Sequence, residues 1–335
     1  MPTLQATKDK FLAFLSKGKT EKEILKKFGE QGKALLGAKY PGYNIFQQRN
    51  QWNEPIWILL PMPRKDFKLQ PKRWHYHVGG EGVERHPYIL VQLPKFQGKV
   101  LIATLFDIHY GHQAHRHEKF LSYLRWIEET PNVYAILGGD LMENALDDNR
   151  GMTYSQDKPP TTQLNDVIKL LAPIAHKILV AIPGNHEWRT VKRAGIDPMM
   201  IISERLKIPY FDGPVFVSIS ANGYRWLIYA HHGTGNAQTK GGKLNSANRP
   251  KVFTNNVHFL LSGHVHDCIA EPETMIMEDP INCRLMFVKQ WTVVAPSFLN
   301  WLNSYAYQAE YRPPAMGGVS IELFDNGDYR AGLTS

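Results

Sequence analysis

VLIATLFDIH, residues 100–109, sets the reading of the fold. An apolar run of strand length, rich in Val, Ile, Leu and Phe, ends abruptly on Asp107 and His109, one residue apart. Such a short apolar run, interrupted only by Thr104, reads as a strand with its polar residues delivered at the carboxyl end. The texture repeats downstream. Amphipathic stretches at 115–129 and 162–176 alternate with the apolar runs Val133–Leu137 and Ile178–Ile182. That alternation predicts β-α-β units and an α/β layered domain. Further strands are expected at Val215–Ile219, Trp226–Ala230, His258–Leu261, Met286–Val294 and Val319–Phe324.

Five polar motifs follow such strands. They are Asp107-Ile108-His109, Gly139-Asp140-Leu141-Met142-Glu143, Gly184-Asn185-His186-Glu187, His231-His232-Gly233 and Gly263-His264-Val265-His266. Each alone has an ordinary explanation, such as a tight turn or a satisfied loop histidine. Five strand ends carrying carboxylate, amide and imidazole groups predict one convergent site, because ligands collect at the carboxyl ends of strands in open α/β sheets. Oxygen donors mixed with imidazoles suit Mn, Fe, Zn or Co better than a thiolate-seeking ion.

In this order the motifs D-x-H, G-D-x-x-E, G-N-H-E, H-G and G-H-x-H resemble the signature of the calcineurin-like metallophosphoesterases over roughly residues 98–325. Tyr154-Ser155-Gln156, Gly195-Ile196-Asp197 and the glycine-rich loop after His232 are similar to phage- and prophage-type members. The resemblance implies a layered β-sandwich flanked by helices and two divalent cations, Mn first, with Fe, Zn, Co or Ni as alternatives. It implies that Asp107, His109 and His266 hold one cation, that Asn185, His232 and His264 hold the other, and that Asp140 bridges them. Of the adjacent histidines, strand alternation admits only one, and the family's ligand directly precedes the glycine. His232 is therefore favoured over His231. Glu143 is expected to support the ligands from behind.

The chemistry explains why two cations are expected. A phosphoester repels hydroxide, and two cations ~3.5–4 Å apart neutralise the phosphoryl oxygens and acidify a shared water. His186 and Asp140 are the expected catalytic residues; a charged His186 could protonate the leaving alkoxide. Arg189, Lys243 and His231 are substrate-contact candidates. For Arg189 a surface salt bridge, and for Lys243 a solvent loop, explain the residue equally well.

The N-terminal quarter has another character. Residues 1–90 carry 16 Lys and Arg against 8 Asp and Glu, so the whole net charge of +8 lies there. This fits a module facing a polyanion, or simply a solvated lysine-rich face. A helix over 8–17, a second opened by Thr20 with Glu23 placed for a capping box, a third near 31–37, and strands at Tyr43–Phe46 and Ile56–Leu60 follow in order. Residues 8–60 resemble a winged helix-turn-helix domain, with nucleic acid as an implied partner through residues 1–95. The expected division is 1–62, a proline- and glycine-rich connector 63–96, and the main domain 97–335. Cys268 and Cys283 have no metal-type spacing, and no secretory or membrane-spanning stretch is evident, so a reducing cytoplasm is expected.

The leading expectation is a phosphodiesterase acting on nucleic acid or nucleotides. A phosphomonoesterase or protein phosphatase with the N-terminal module as a cap is the alternative. Asn144 and Ala145 after Glu143 depart from the G-D-x-x-D-R-G of the serine/threonine phosphatases. A non-catalytic scaffold on the same fold is the third reading.

Overall fold

The computed structural model describes residues 4–15, 19–36, 43–49, 55–61, 87–146, 155–254, 256–279, 284–302, 307 and 318–334. Its N-terminal part runs α1 (Leu4–Leu15), β1 (Lys19–Thr20), α2 (Glu21–Phe28), α3 (Gln31–Leu36), β2 (Tyr43–Arg49) and β3 (Pro55–Pro61). The capping box forms: Glu23 donates its backbone N–H to Thr20 Oγ1 at 3.3 Å, and Thr20 N–H reaches Glu23 Oε2 at 2.8 Å. Gly29 ends α2 at φ 58°, a conformation glycine adopts without steric cost. Phe11, Leu15, Ile24 and Leu35 form a small separate core, and the three strands pair in the order β1-β3-β2.

The main part continues with β4 (Tyr88–Gln92), β5 (Lys99–Leu105), α4 (His117–Glu129), β6 (Val133–Leu137), α5 (Pro160–Leu171), β7 (Ile178–Ala181), α6 (Asn185–Ala194) and α7 (Pro198–Leu206). It then adds β8 (Val215–Ala221), β9 (Tyr224–Ala230), α8 (Lys240–Ala247), β10 (Phe259–Ser262), β11 (Ile269–Asp279), β12 (Arg284–Val294), β13 (Gly318–Phe324) and β14 (Tyr329–Thr334). A six-stranded sheet, β11-β12-β10-β9-β8-β4, and a five-stranded sheet, β14-β13-β5-β6-β7, share one core.

Period-two alternation along β5 shows how the layers arise. Val100 and Ile102 face the inter-sheet core with Trp226, Ile228, Phe259 and Val293. Ala103 and Leu105 point the other way, against Phe120 and Leu124 of α4, Val167 and Leu171 of α5 and Ile202 of α7. One strand thus serves two cores, which is why its sequence is apolar on both faces apart from Thr104, whose hydroxyl donates to Val319 O at 2.9 Å.

The differences from the sequence reading have physical causes. β4 lies inside the stretch expected as a connector; it pairs in parallel with β8, and its short sequence looked like an interruption between prolines. β11 was not expected, because its alternating glutamates look like loop; it pairs along its whole length with β12. The helix expected over 162–176 is split, ending at Leu171 before a 3₁₀ turn at Ala172–Lys177, where Pro173 cannot donate. Among the described residues no helix is long and apolar enough to cross a membrane. Cys268 is buried, as expected of it, and Cys283 lies outside the described residues.

Candidate metal centre

The five motifs occupy one edge of the sandwich. β5, β6 and β7 are parallel, as are β9 and β10, so their carboxyl ends open on the same side. Asp107, His109, Asp140, His264 and His266 all take left-handed backbone, with φ between 47° and 67°. Such a conformation costs an L-residue ~1–2 kcal/mol. It persists because the loops hydrogen-bond to one another: Asp107 N–H donates to Gly139 O at 3.1 Å, and His109 N–H to Asp140 O at 2.9 Å. His264 N–H donates to Asp107 Oδ2 and His186 N–H to Asp140 Oδ1, both at 2.8 Å. Gly184 and Gly263 permit this crowding, since a Cβ at either would collide with the Asp140 or Asp107 carboxylate.

Three groups of donor atoms result among the described residues. Asp107, His109 and His266 form one; Asp140, His232 and His264 form a second; His109, Asp140 and His186 form a third that overlaps both. In the first, His109 Nε2 and His266 Nε2 are 3.1 Å apart, and Asp107 Oδ1 lies 3.3 Å from His266 Nε2. Asp107 Oδ1 is buried without a hydrogen-bond partner. A buried carboxylate oxygen left unpaired is costly, and two imidazole nitrogens beside it make a donor set that a divalent cation satisfies. In the second, His232 Nε2 lies 3.3 Å from Asp140 Oδ2, and Asn185 Oδ1 lies 2.9 Å from His232 Nε2 and 2.8 Å from His264 Nδ1.

The outer partners fix which nitrogen faces inward. Glu143 Oε2 meets His109 Nδ1 at 3.0 Å, and Gly138 O meets His232 Nδ1 at 2.8 Å, so Nε2 is the nitrogen turned into the cluster in both rings. Burial would lower the His232 pKa, but the adjacent Asp140 charge overrides it and pushes it up to about 10. Burial likewise opposes ionisation of Glu143, yet the His109 hydrogen bond holds its pKa down at about 2.

The structure separates the adjacent histidines. His232 enters the cluster, while His231 packs its ring against Tyr229 at 5.6 Å. Lys243 is buried and pairs with Asp267 at 3.3 Å, directly beyond His266. Arg189 stands at the cluster: Nη1 donates to Glu143 O and Nη2 meets His186 Nε2, each at 2.8 Å. His186 lies 3.7 Å from Asp140 Oδ2, and burial holds its pKa down at about 4.

One important residue received no role from sequence. Glu187 is fully buried and accepts the backbone N–H of Gly184 at 2.8 Å and of Asp140 and Leu141 at 2.9 Å. It ties the Asp140 loop to the loop bearing Asn185. The available signal was a glutamate three residues after Gly184, the spacing of a helix N-terminal box. Asn144, also left-handed at φ 47°, braces the same region by donating to His186 O at 2.6 Å.

A two-sheet α/β sandwich with nitrogen–oxygen donor clusters at its strand ends offers a site suited to divalent cations. Residues 102–268 match the family model of the calcineurin-like phosphoesterases, which supports that superfamily for this part of the chain. The family typically binds two divalent metals, and its activity is metal-dependent hydrolysis of phosphoric esters. No curated protein matches the chain.

Proposed function

We propose that the protein is a two-cation phosphodiesterase acting on nucleic acid or nucleotides. The observation that carries the chemistry is the buried, unpaired Asp107 Oδ1 beside two converging imidazoles, with a second donor group built on Asp140. In this reading Asp107, His109 and His266 hold one cation, Asn185, His232 and His264 hold the other, and Asp140 serves both. Bound there, the cations supply Lewis acidity towards the phosphoryl oxygens and lower the pKa of water.

The chain's own residues set the frame. Glu143 and the Gly138 carbonyl hold His109 and His232 with Nε2 inward. His186 and Arg189, one turn apart on α6, place an imidazole and a guanidinium beside Asp140 and Glu143. Lys243, through Asp267, restrains the loop that carries His264 and His266.

Two features support a diester of nucleic acid. The net positive charge is confined to residues 1–90. The order α1-β1-α2-α3-β2-β3, with its sheet order β1-β3-β2, supports reading the N-terminal part as winged-helix-like. The test compares bis-p-nitrophenyl phosphate with p-nitrophenyl phosphate using metal-reconstituted protein, then single- and double-stranded DNA at rising salt. The expected result is diester preference by at least about tenfold, ~1.4 kcal/mol of transition-state binding, and salt-sensitive DNA retention. Monoester preference would move the assignment to a phosphomonoesterase. Bound metal without hydrolysis of either ester would leave a non-catalytic scaffold.

A further inference from the structure

His186 and Arg189 are linked in a closed arrangement that the phosphoesterase reading does not by itself require. The Glu143 carbonyl oxygen receives two donors, His186 Nδ1 at 2.6 Å and Arg189 Nη1 at 2.8 Å. The other Arg189 nitrogen, Nη2, lies 2.8 Å from His186 Nε2. A guanidinium has five N–H donors and no acceptor. His186 Nε2 must therefore be the acceptor, its ring proton resides on Nδ1, and the Glu143 carbonyl receives it. The bond covers the ring atom that faces Asp140 Oδ2 at 3.7 Å. Nε2 thus points at the reacting region with its lone pair already engaged.

A phosphoryl anion competes for the same guanidinium. Hydrogen bonds between arginine and phosphate oxygens are charge-assisted, often bidentate and roughly twice as strong as neutral ones. Arg189 retains 18% side-chain exposure, whereas His186 retains 9%. Of the two, the guanidinium is therefore the one an incoming anion reaches first.

We propose that Arg189 is a positioning residue that masks His186 until substrate arrives: a phosphoryl oxygen draws the guanidinium from His186 Nε2, and the uncovered nitrogen then faces the reacting oxygens. The exchange breaks one N–H···N hydrogen bond and forms N–H···O bonds to the anion; no proton or covalent bond is transferred. The inference rests on the phosphoesterase reading. It goes beyond that reading by making the availability of His186 depend on the anion rather than on a fixed geometry.

The test uses manganese-reconstituted full-length protein and two readouts. Diethyl pyrocarbonate acylates an unprotonated imidazole nitrogen, and peptide mapping isolates His186 among the 14 histidines. Arg189→Met is expected to raise the rate of His186 modification several-fold without substrate present. On bis-p-nitrophenyl phosphate the same substitution should raise KM about tenfold, because the anion loses its guanidinium partner, and leave kcat within about twofold, because His186 Nε2 is then uncovered throughout. In a His186→Ala background the rise in KM should persist, because the guanidinium meets the anion directly. Arg189→Lys, which keeps the charge but cannot span both acceptors, provides the same cycle should the methionine variant fold poorly.

A kcat loss in Arg189→Met as large as that of His186→Ala, or His186 modification unchanged by removing the guanidinium, would overturn the proposal. A wild type that hydrolyses neither ester would defeat the phosphoesterase reading instead. The modification experiment would still decide whether Arg189 covers His186.

Discussion

Glu187 Oε2 accepts the backbone N–H of Asp140 at 2.9 Å, so the residue proposed to serve both cations has its backbone held by a second buried acid. Oε1 takes Leu141 N–H, and Oε2 also takes Gly184 N–H. In Glu187→Gln an amide group must face donors on one side. Each buried donor left unsatisfied costs ~1–3 kcal/mol. A fall in Tm together with cation affinity weakened at least about tenfold, through displaced Asp140 and Asn185, is expected; outer-partner substitutions commonly cost 10–100-fold. Calorimetric titration with Mn checks it. Unchanged affinity in a destabilised variant would reduce Glu187 to a purely structural brace.

The two donor groups should fail unequally. His266→Ala removes a donor from one group only, whereas Asp140→Ala removes the carboxylate proposed to serve both. Metal analysis after reconstitution should find about half the wild-type content in the first variant and almost none in the second. Chelator treatment of the wild type should abolish hydrolysis, and added Mn should restore it. Equal metal loss in both variants would argue against a shared Asp140.

Lys177 offers a stability test remote from the site. Its ammonium donates to Ile127 O at 2.6 Å, Glu128 O at 3.0 Å and Thr130 O at 2.7 Å, satisfying carbonyls at the end of α4. Lys177→Met keeps the stem but leaves these acceptors without the cation. A loss of ~1–3 kcal/mol, read as a Tm lowered by several degrees, is expected with kcat unaltered. Altered cation binding would show that α4 contributes to the site.

His258 makes stability fall on the acid side. Burial lowers its pKa to about 4, and its Nδ1 accepts Leu227 N–H at 3.0 Å. The unfolded chain takes up the proton near the ordinary histidine value of ~6.5, before the folded one does. Stability from this group is therefore complete above about 6.5 and lost progressively as pH falls towards about 4. Thermal unfolding from pH 7 to 5 should show a smaller drop for His258→Gln than for wild type. Parallel curves would place the acid sensitivity elsewhere.

The core of the site was legible because its chemistry is compressed into short motifs at strand ends. Asp107, Asp140 and His264 could be read from apolar runs that stop on polar residues; strand alternation admitted only one of His231 and His232, and the resemblance, whose ligand directly precedes the glycine, favoured His232. Glu187 escaped because its role is to accept backbone N–H groups from a loop more than 40 positions away, which leaves no local pattern beyond its spacing from Gly184. The Arg189–His186 bond escaped for a related reason. Sequence places both on one helical face, but nothing in it reveals that the Glu143 carbonyl is their common acceptor. β4 and β11 were missed because pairing across the sheet, rather than their own composition, makes them strands.

The left-handed backbone at five of the donor residues has a consequence for how this protein could be improved or broken. Glycine at Asp107, Asp140 or His264 would let the chain adopt the same path with less steric resistance, yet it would erase the donors. Screens for thermal robustness should therefore drift towards inert proteins at these positions. Folding ease and chemical competence are in direct opposition there, and both can be retained only by gains made elsewhere in the molecule.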